Sequence, residues 1–97
     1  MYPLVIESPL FPLGQVVATP GALASLTTNQ VDIKTLLQRH ASGDWGDVCE
    51  EDRASNDNAL KQGDRLLSSY LLSDACKIWV ITEWDRSVTT VLLPEDY

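Results

Sequence analysis

Seven consecutive residues, Lys77-Ile78-Trp79-Val80-Ile81-Thr82-Glu83, do most to decide what this chain can fold into. β-Branched and aromatic side chains fill the run. That composition suits a pleated, half-buried strand, and the run is too short for a helix. A turn signal, Trp84-Asp85-Arg86-Ser87, follows, and a second strand-like run over 88–93 stops at Pro94. A third run over 65–72 precedes the turn Ser73-Asp74-Ala75. Connections this short predict an antiparallel meander. Trp79 and Ile81 alternate with Ile78 and Val80, so both faces of the central strand are apolar. One face meets helices. The other needs a cover, which the N-terminal arm or a second copy of the chain would supply.

The first half reads differently. Residues 1–12 form an extended, proline-stiffened arm, with Leu4, Val5, Ile6, Leu10 and Phe11 too apolar to stay wet. A β-like run over 15–18 ends at Thr19-Pro20-Gly21. Thr19 suits an N-cap and Pro20 the first helical position, which predicts a short helix over 21–26. Thr28 or Asn29 caps the next helix, over 30–41. Its Ile33, Leu36, Leu37 and His40 recur at helical spacing on one face, and Gly43 ends it. A loop, Asp44-Trp45-Gly46-Asp47, leads to a third helix over about 50–62, whose apolar face rests on Ala59 and Leu60 and whose stop is Gly63. The order is β-α-α-α-β-β-β. It predicts one α+β domain over 1–97, with two or three helices on one face of an antiparallel three- to four-stranded sheet.

A chain of 97 residues buries roughly 60–65% of its unfolded surface, enough for one modest core. Seven basic residues stand against fourteen acidic ones, a net charge of −7. That balance argues against direct nucleic-acid binding and against anionic membranes, because both need a basic face. It suits a basic partner surface, or imitation of nucleic-acid charge. Cys49 and Cys76 lie far apart without a CxxC, and read as reduced thiols. The N-terminus has no basic n-region, and Pro3, Pro9 and Pro12 cut its apolar run. It reads as neither signal peptide nor membrane span, and the expected location is the cytoplasm.

Chemistry has few places to sit. His40 is the one side chain that titrates near neutrality. Paired with Asp44 or Asp47 it would be an oriented general base; alone near a helix C-terminus it is a structural histidine, the simpler reading. Asp44, Asp47, Glu50, Glu51 and Asp52 crowd into one short stretch. Helix capping accounts for them first and a surface for a basic partner second. The EF-hand pattern is missing, and neither a metal nor a cofactor is expected. Asn56 falls on the inward stripe of the third helix, where hydrogen bonds to the 44–47 loop would anchor it. Glu83, Trp84, Asp85 and Arg86 make up the second turn. Trp beside Arg is the composition of an interface hot spot, and Trp84 folded back on the sheet is the competing reading.

Two stretches taken together carry a resemblance. They are His40-x-x-Gly43-Asp44-Trp45-Gly46 and Ile78-Trp79-Val80-Ile81-Thr82-Glu83-x-Asp85-Arg86-Ser87-x-Thr89-Thr90-Val91-Leu92-Leu93-Pro94. They resemble a small bacterial family of stand-alone chains associated with plasmids and other mobile elements. Phe11-Pro12-Leu13-Gly14 and Ala18-Thr19-Pro20-Gly21-Ala22-Leu23 match its N-terminal pattern, and Asn56, Ala59, Leu60, Gly63 and Tyr70 fit too. The resemblance implies a mobile-element protein and no defined activity. A restriction-subunit label sometimes attached to the family does not suit this chain, which is too short for a methyltransferase and lacks a Gly-rich cofactor loop. Where this chain has Trp84 the family usually has a small residue.

Three function classes follow. The leading one is a non-enzymatic acidic binding module for a protein partner, an inhibitor of a host nucleic-acid-processing or defence complex of the anti-CRISPR or anti-restriction kind. Its expected contacts are Asp44, Trp45, Asp47, Glu50, Glu51, Trp84, Asp85 and Arg86, with His40 and Asn56 as a further polar site. The second is a small toxin-like nuclease, which needs a pocket gathering His40, Asp44 and Arg86. The third is a dimeric regulatory or antitoxin-like protein.

Overall fold

In the computed structural model, which describes residues 6–97, the meander forms as the sequence predicts. β2 (Leu66–Ser73), β3 (Cys76–Thr82) and β4 (Val88–Leu92) pair antiparallel in chain order. Ahead of them run β1 (Gln15–Ala18), α1 (Pro20–Thr28), α2 (Ile33–Ala41) and α3 (Glu50–Gln62), and a 3-10 turn (Pro94–Asp96) closes the described chain. The protein is an α+β domain of three helices and a four-stranded sheet in the order β1-β4-β3-β2.

One pairing differs from expectation. β1 lies parallel to β4, with Gln15 opposite Val88 and Ala18 opposite Val91, so the sheet is mixed. β1 reaches β4 through three helices and a hairpin. No tight turn joins the two strands, so nothing imposes antiparallel pairing.

Local chemistry sets the helix ends. The Thr19 hydroxyl accepts from Ala22 N–H, Pro20 opens α1, and the helix runs on to Thr28. Gln30 takes a left-handed φ of 55° and breaks the chain before α2. α2 therefore starts later than predicted, capped by Asp32 rather than by Thr28 or Asn29. At the end of α3, Gly63 sits at φ 76° and its N–H returns to Ala59.

Ile78, Val80 and Thr82 of β3 face the helices, beside Leu66, Ser68 and Tyr70 of β2 and Thr89 and Val91 of β4. Leu26, Leu36, Leu37, His40 and Ala41 meet them from α1 and α2. The described part of the arm packs on this side too. Glu7 exchanges two hydrogen bonds with the Gln38 side chain, Leu10 N–H donates to Ala41, and Phe11 is buried. Residues 1–5 of the arm, including Leu4 and Val5, lie outside the described residues. Among the described residues, the opposite sheet face finds cover at the C-terminal end. Tyr97 meets Trp79 edge to face, and Arg65 lies over the Tyr97 ring and donates to its hydroxyl. Among the described residues no helix is long and apolar enough to cross a membrane.

Candidate functional site

The motif His40-x-x-Gly43-Asp44-Trp45-Gly46 turns inward. β2 is an edge strand, and its outward backbone groups would otherwise be bare. Ser69 N–H donates to Trp45 C=O, and Asp47 N–H donates to Ser69 C=O, a short parallel bridge along that edge. Gly46 sits at φ 75°, where a Cβ would run into the Ser69 carbonyl and the Tyr70 ring, so only glycine fits. Two residues along β2, Asn56 completes the cover. Its amide donates to Leu67 C=O at 2.7 Å, and its carbonyl accepts from Leu67 N–H at 3.1 Å. Asn56 is thus an anchor, with β2 rather than the 44–47 loop as its partner.

Trp45 is 1% exposed, which corrects its place among surface contacts. Its ring packs against both Phe11 and His40, which also meet each other edge to face, and its indole N–H donates to Asp57 of α3. Asp44 holds the same loop from outside. Its carboxylate takes two bonds from Arg39 and one from Gly46 N–H, and the Arg39 guanidinium holds it below the usual carboxylate range. Its backbone carbonyl accepts from the Tyr70 hydroxyl at 2.6 Å.

His40 is fully buried in a chain of polar side chains that sequence reasoning missed. Nδ1 lies 2.6 Å from Ser68 Oγ, and Nε2 lies 2.9 Å from Thr82 Oγ1. Thr82 Oγ1 is 2.7 Å from Thr89 Oγ1, which donates to Leu13 C=O at 2.7 Å. Counting protons fixes every direction. Thr89 spends its one proton on Leu13, so Thr82 donates to Thr89. His40 Nε2–H then donates to Thr82, and Nδ1 accepts from Ser68. The imidazole is the neutral Nε2–H tautomer with both nitrogens satisfied. Burial, aided by the Arg86 charge, pushes its pKa down to about 3. A ring without solvent access and with no free nitrogen cannot serve as a general base, so the route to catalysis through His40 closes.

Arg86 is likewise engaged. At φ 61° it turns its guanidinium back to donate to Asp64 C=O at 2.6 Å, Ala59 C=O at 3.0 Å and Glu83 C=O at 3.2 Å, and it lies over Phe11. This strut ties the β3–β4 turn to the end of α3, and it leaves Arg86 half-buried beside Trp84. It donates elsewhere than to Asp44, and the cavities beside Val16 and beside Lys34 are lined by none of His40, Asp44 and Arg86. Among the described residues no cluster of metal-binding side chains forms.

What stays outside is a smaller set. Trp84 is 65% exposed at the tip of the turn. Beside it the Asp85 carboxylate accepts from Ser87 N–H and Ser87 Oγ, which lowers its pKa and fixes the turn. Glu50 and Glu51 are exposed in the first turn of α3, and Asp47 just before them pairs loosely with Lys77 at 3.7 Å. Cys49 gives α3 no side-chain cap bond, so Glu50, Glu51 and Asp52 supply the negative charge its N-terminus favours. Comparison with protein-family models, with curated proteins and with solved structures finds no match.

Proposed function

We propose that this protein is a non-catalytic, acidic binding module for another protein. The observation that carries the reading is Trp84, two-thirds exposed on a turn held rigid by Arg86 and Asp85. A large apolar side chain carried on a preformed turn spares the backbone ordering cost on binding, which helps a hot spot gain affinity. The turn is tied to the C-terminal end of α3, and Asp47, Glu50 and Glu51 lie at the other end. Thirteen residues of helix separate the two by roughly 20 Å, the reach of a standard interface. Only Asn56 and Ala59 of α3 are buried, so most of the helix is free to meet a partner. The acids steer a basic partner and Trp84 anchors it. On the resemblance to plasmid-associated proteins, the partner is a host nucleic-acid-processing or defence complex that this chain inhibits. Asp74 and Asp85 sit in turns at opposite ends of β3, so the reading rests on local charge at α3 and not on a phosphate-like stripe.

Affinity capture from a bacterial host, followed by binding with the purified partner, tests it. Lysine at Asp47, Glu50 and Glu51 should slow association, and Trp84→Ala should weaken binding by about 2 kcal/mol, roughly thirtyfold. Trp84→Ala should melt like the parent, whereas the triple lysine variant should stay folded but melt lower, because α3 loses the acids at its N-terminus. A partner retained at full affinity by both would refute the proposal.

A further inference from the structure

The two edges of the sheet are treated differently. β2 is covered by Trp45–Asp47 and Asn56, whereas β1 ends the sheet on the other side among the described residues. Gln15 and Thr19 N–H groups go to Ser87 and Val91 of the β4 side. By the alternation of a strand, Val16 and Ala18 turn their N–H and C=O groups outward. Gln15-Val16-Val17-Ala18 carries no charge and no proline, so nothing on the strand blocks pairing. Beside it lies an open cavity of about 440 Å³, lined by Val16 together with Ile6, Pro9, Phe11, Pro12 and Leu13. Val16 shares the core-facing side of the sheet with Thr89, its register partner, so the cavity opens on that side of the edge.

We propose that β1 and this cavity form a docking site for an extended segment of a partner protein, which adds as a fifth strand and seats one large apolar side chain in the cavity. This site deepens the protein-binding reading and rests on it. Backbone hydrogen bonds to Val16 and Ala18 supply the pairing, and the cavity supplies the side-chain preference. Prolines 9 and 12 stiffen the wall in advance. The net charge of −7 selects basic flanks on the segment. A second copy of the chain fits less well. Antiparallel self-pairing would set Ala18 beside Val16, too small to fill the cavity, and four residues a side fall far short of a stable dimer interface. Two chains of −7 also repel.

The test uses the full chain and synthetic octapeptides with alternating threonine and one central Phe, Leu or Tyr, flanked by lysines. Binding is read by fluorescence anisotropy and by amide shifts. Saturable binding of at least one peptide is expected, with Val16 and Ala18 amides shifting. A tenfold or greater loss is expected when the peptide is N-methylated at alternate positions, and again in Ala18→Pro and Val16→Lys, the second serving if the first does not fold. Trp84→Ala should bind these peptides normally, so failure here is distinguishable from failure of the Trp84 contact. Three results would each overturn the proposal: no binding, or binding indifferent to N-methylation; a dimer that protects the Val16 and Ala18 amides; or those amides already protected in the free monomer, which would place the chain's own residues 1–5 in the site.

Discussion

Acid should destabilise this protein through His40 before its carboxylates are touched. The unfolded imidazole titrates near 6.5, and burial holds the folded one near 3. The folded state therefore favours the neutral ring, and between the two values the unfolded chain binds the extra proton. Stability is fully present above pH 6.5 and is lost as pH falls towards 3. At about 1.4 kcal/mol per unit, the whole shift is worth on the order of 5 kcal/mol, comparable with the entire stability of a small domain. The part above the carboxylate range decides the matter. Between pH 7.5 and 5.0 one such group removes about 2 kcal/mol. Urea titrations at pH 7.5, 6.5, 5.5 and 5.0 read this directly. His40→Gln keeps an acceptor for Ser68 and a donor for Thr82 but cannot titrate. It should lower stability at pH 7.5 by roughly 1–2 kcal/mol and flatten the slope to pH 5.0. Equal slopes in the two proteins, or a flat parent, would refute the buried-histidine account. Imidazole ¹⁵N spectra provide a second check: a protonated Nδ1 would break the proton count.

Other substitutions test the braces around the site. Asn56→Ala should cost about 2 kcal/mol and raise aggregation, because it strips both bonds from the Leu67 edge. Asn56→Asp should fare no better, since a carboxylate would then face Leu67 C=O; thermal melts and light scattering check both. Gly46→Ala should cost at least about 2 kcal/mol by calorimetry, from positive φ and from collision with Ser69 and Tyr70. Arg86→Ala should leave the three carbonyls without their donor and speed hydrogen exchange in the β3–β4 turn. In contrast, Arg39→Ala removes a pair exposed by about half on both sides, and should cost under about 1 kcal/mol in the same melts.

Much of this architecture was legible because it is written locally. The alternation in residues 77–83, the Thr19-Pro20 helix start and the Gly63 stop each act within a few residues, and each appears where the chemistry put it. Helical spacing also placed His40 and Asn56 on inward faces. Their partners were not legible, because Ser68 and Thr82 come from strands far along the chain, and Leu67, though near Asn56 in sequence, is offered only because β2 is left as a sheet edge. Trp45 misled for the same reason. Asp44-Trp45-Gly46-Asp47 has the polar, glycine-containing look of a surface loop, and only the bare edge of β2 explains why its Trp goes inside. The parallel placement of β1 is likewise a long-range outcome that no turn residue signals.

The charge imbalance gains a sharper meaning from this placement. Asp44 is paired with Arg39 and Asp47 loosely with Lys77, and the described residues show no other salt bridge. Most of the acid excess is therefore uncompensated and acts at a distance. It opposes pairing of one bare β1 edge with another and favours a basic-flanked segment. Salt should separate the two contributions to docking. Raising ionic strength from 0.1 to 1 M cuts the screening length from about 10 Å to about 3 Å. The lysine-flanked peptide should weaken several-fold over that range, mostly through slower association. The same peptide with serine flanks should hold its affinity, because backbone pairing and the apolar cavity are indifferent to salt or slightly strengthened by it. Equal salt responses from the two peptides would show that charge plays no part in choosing what β1 pairs with.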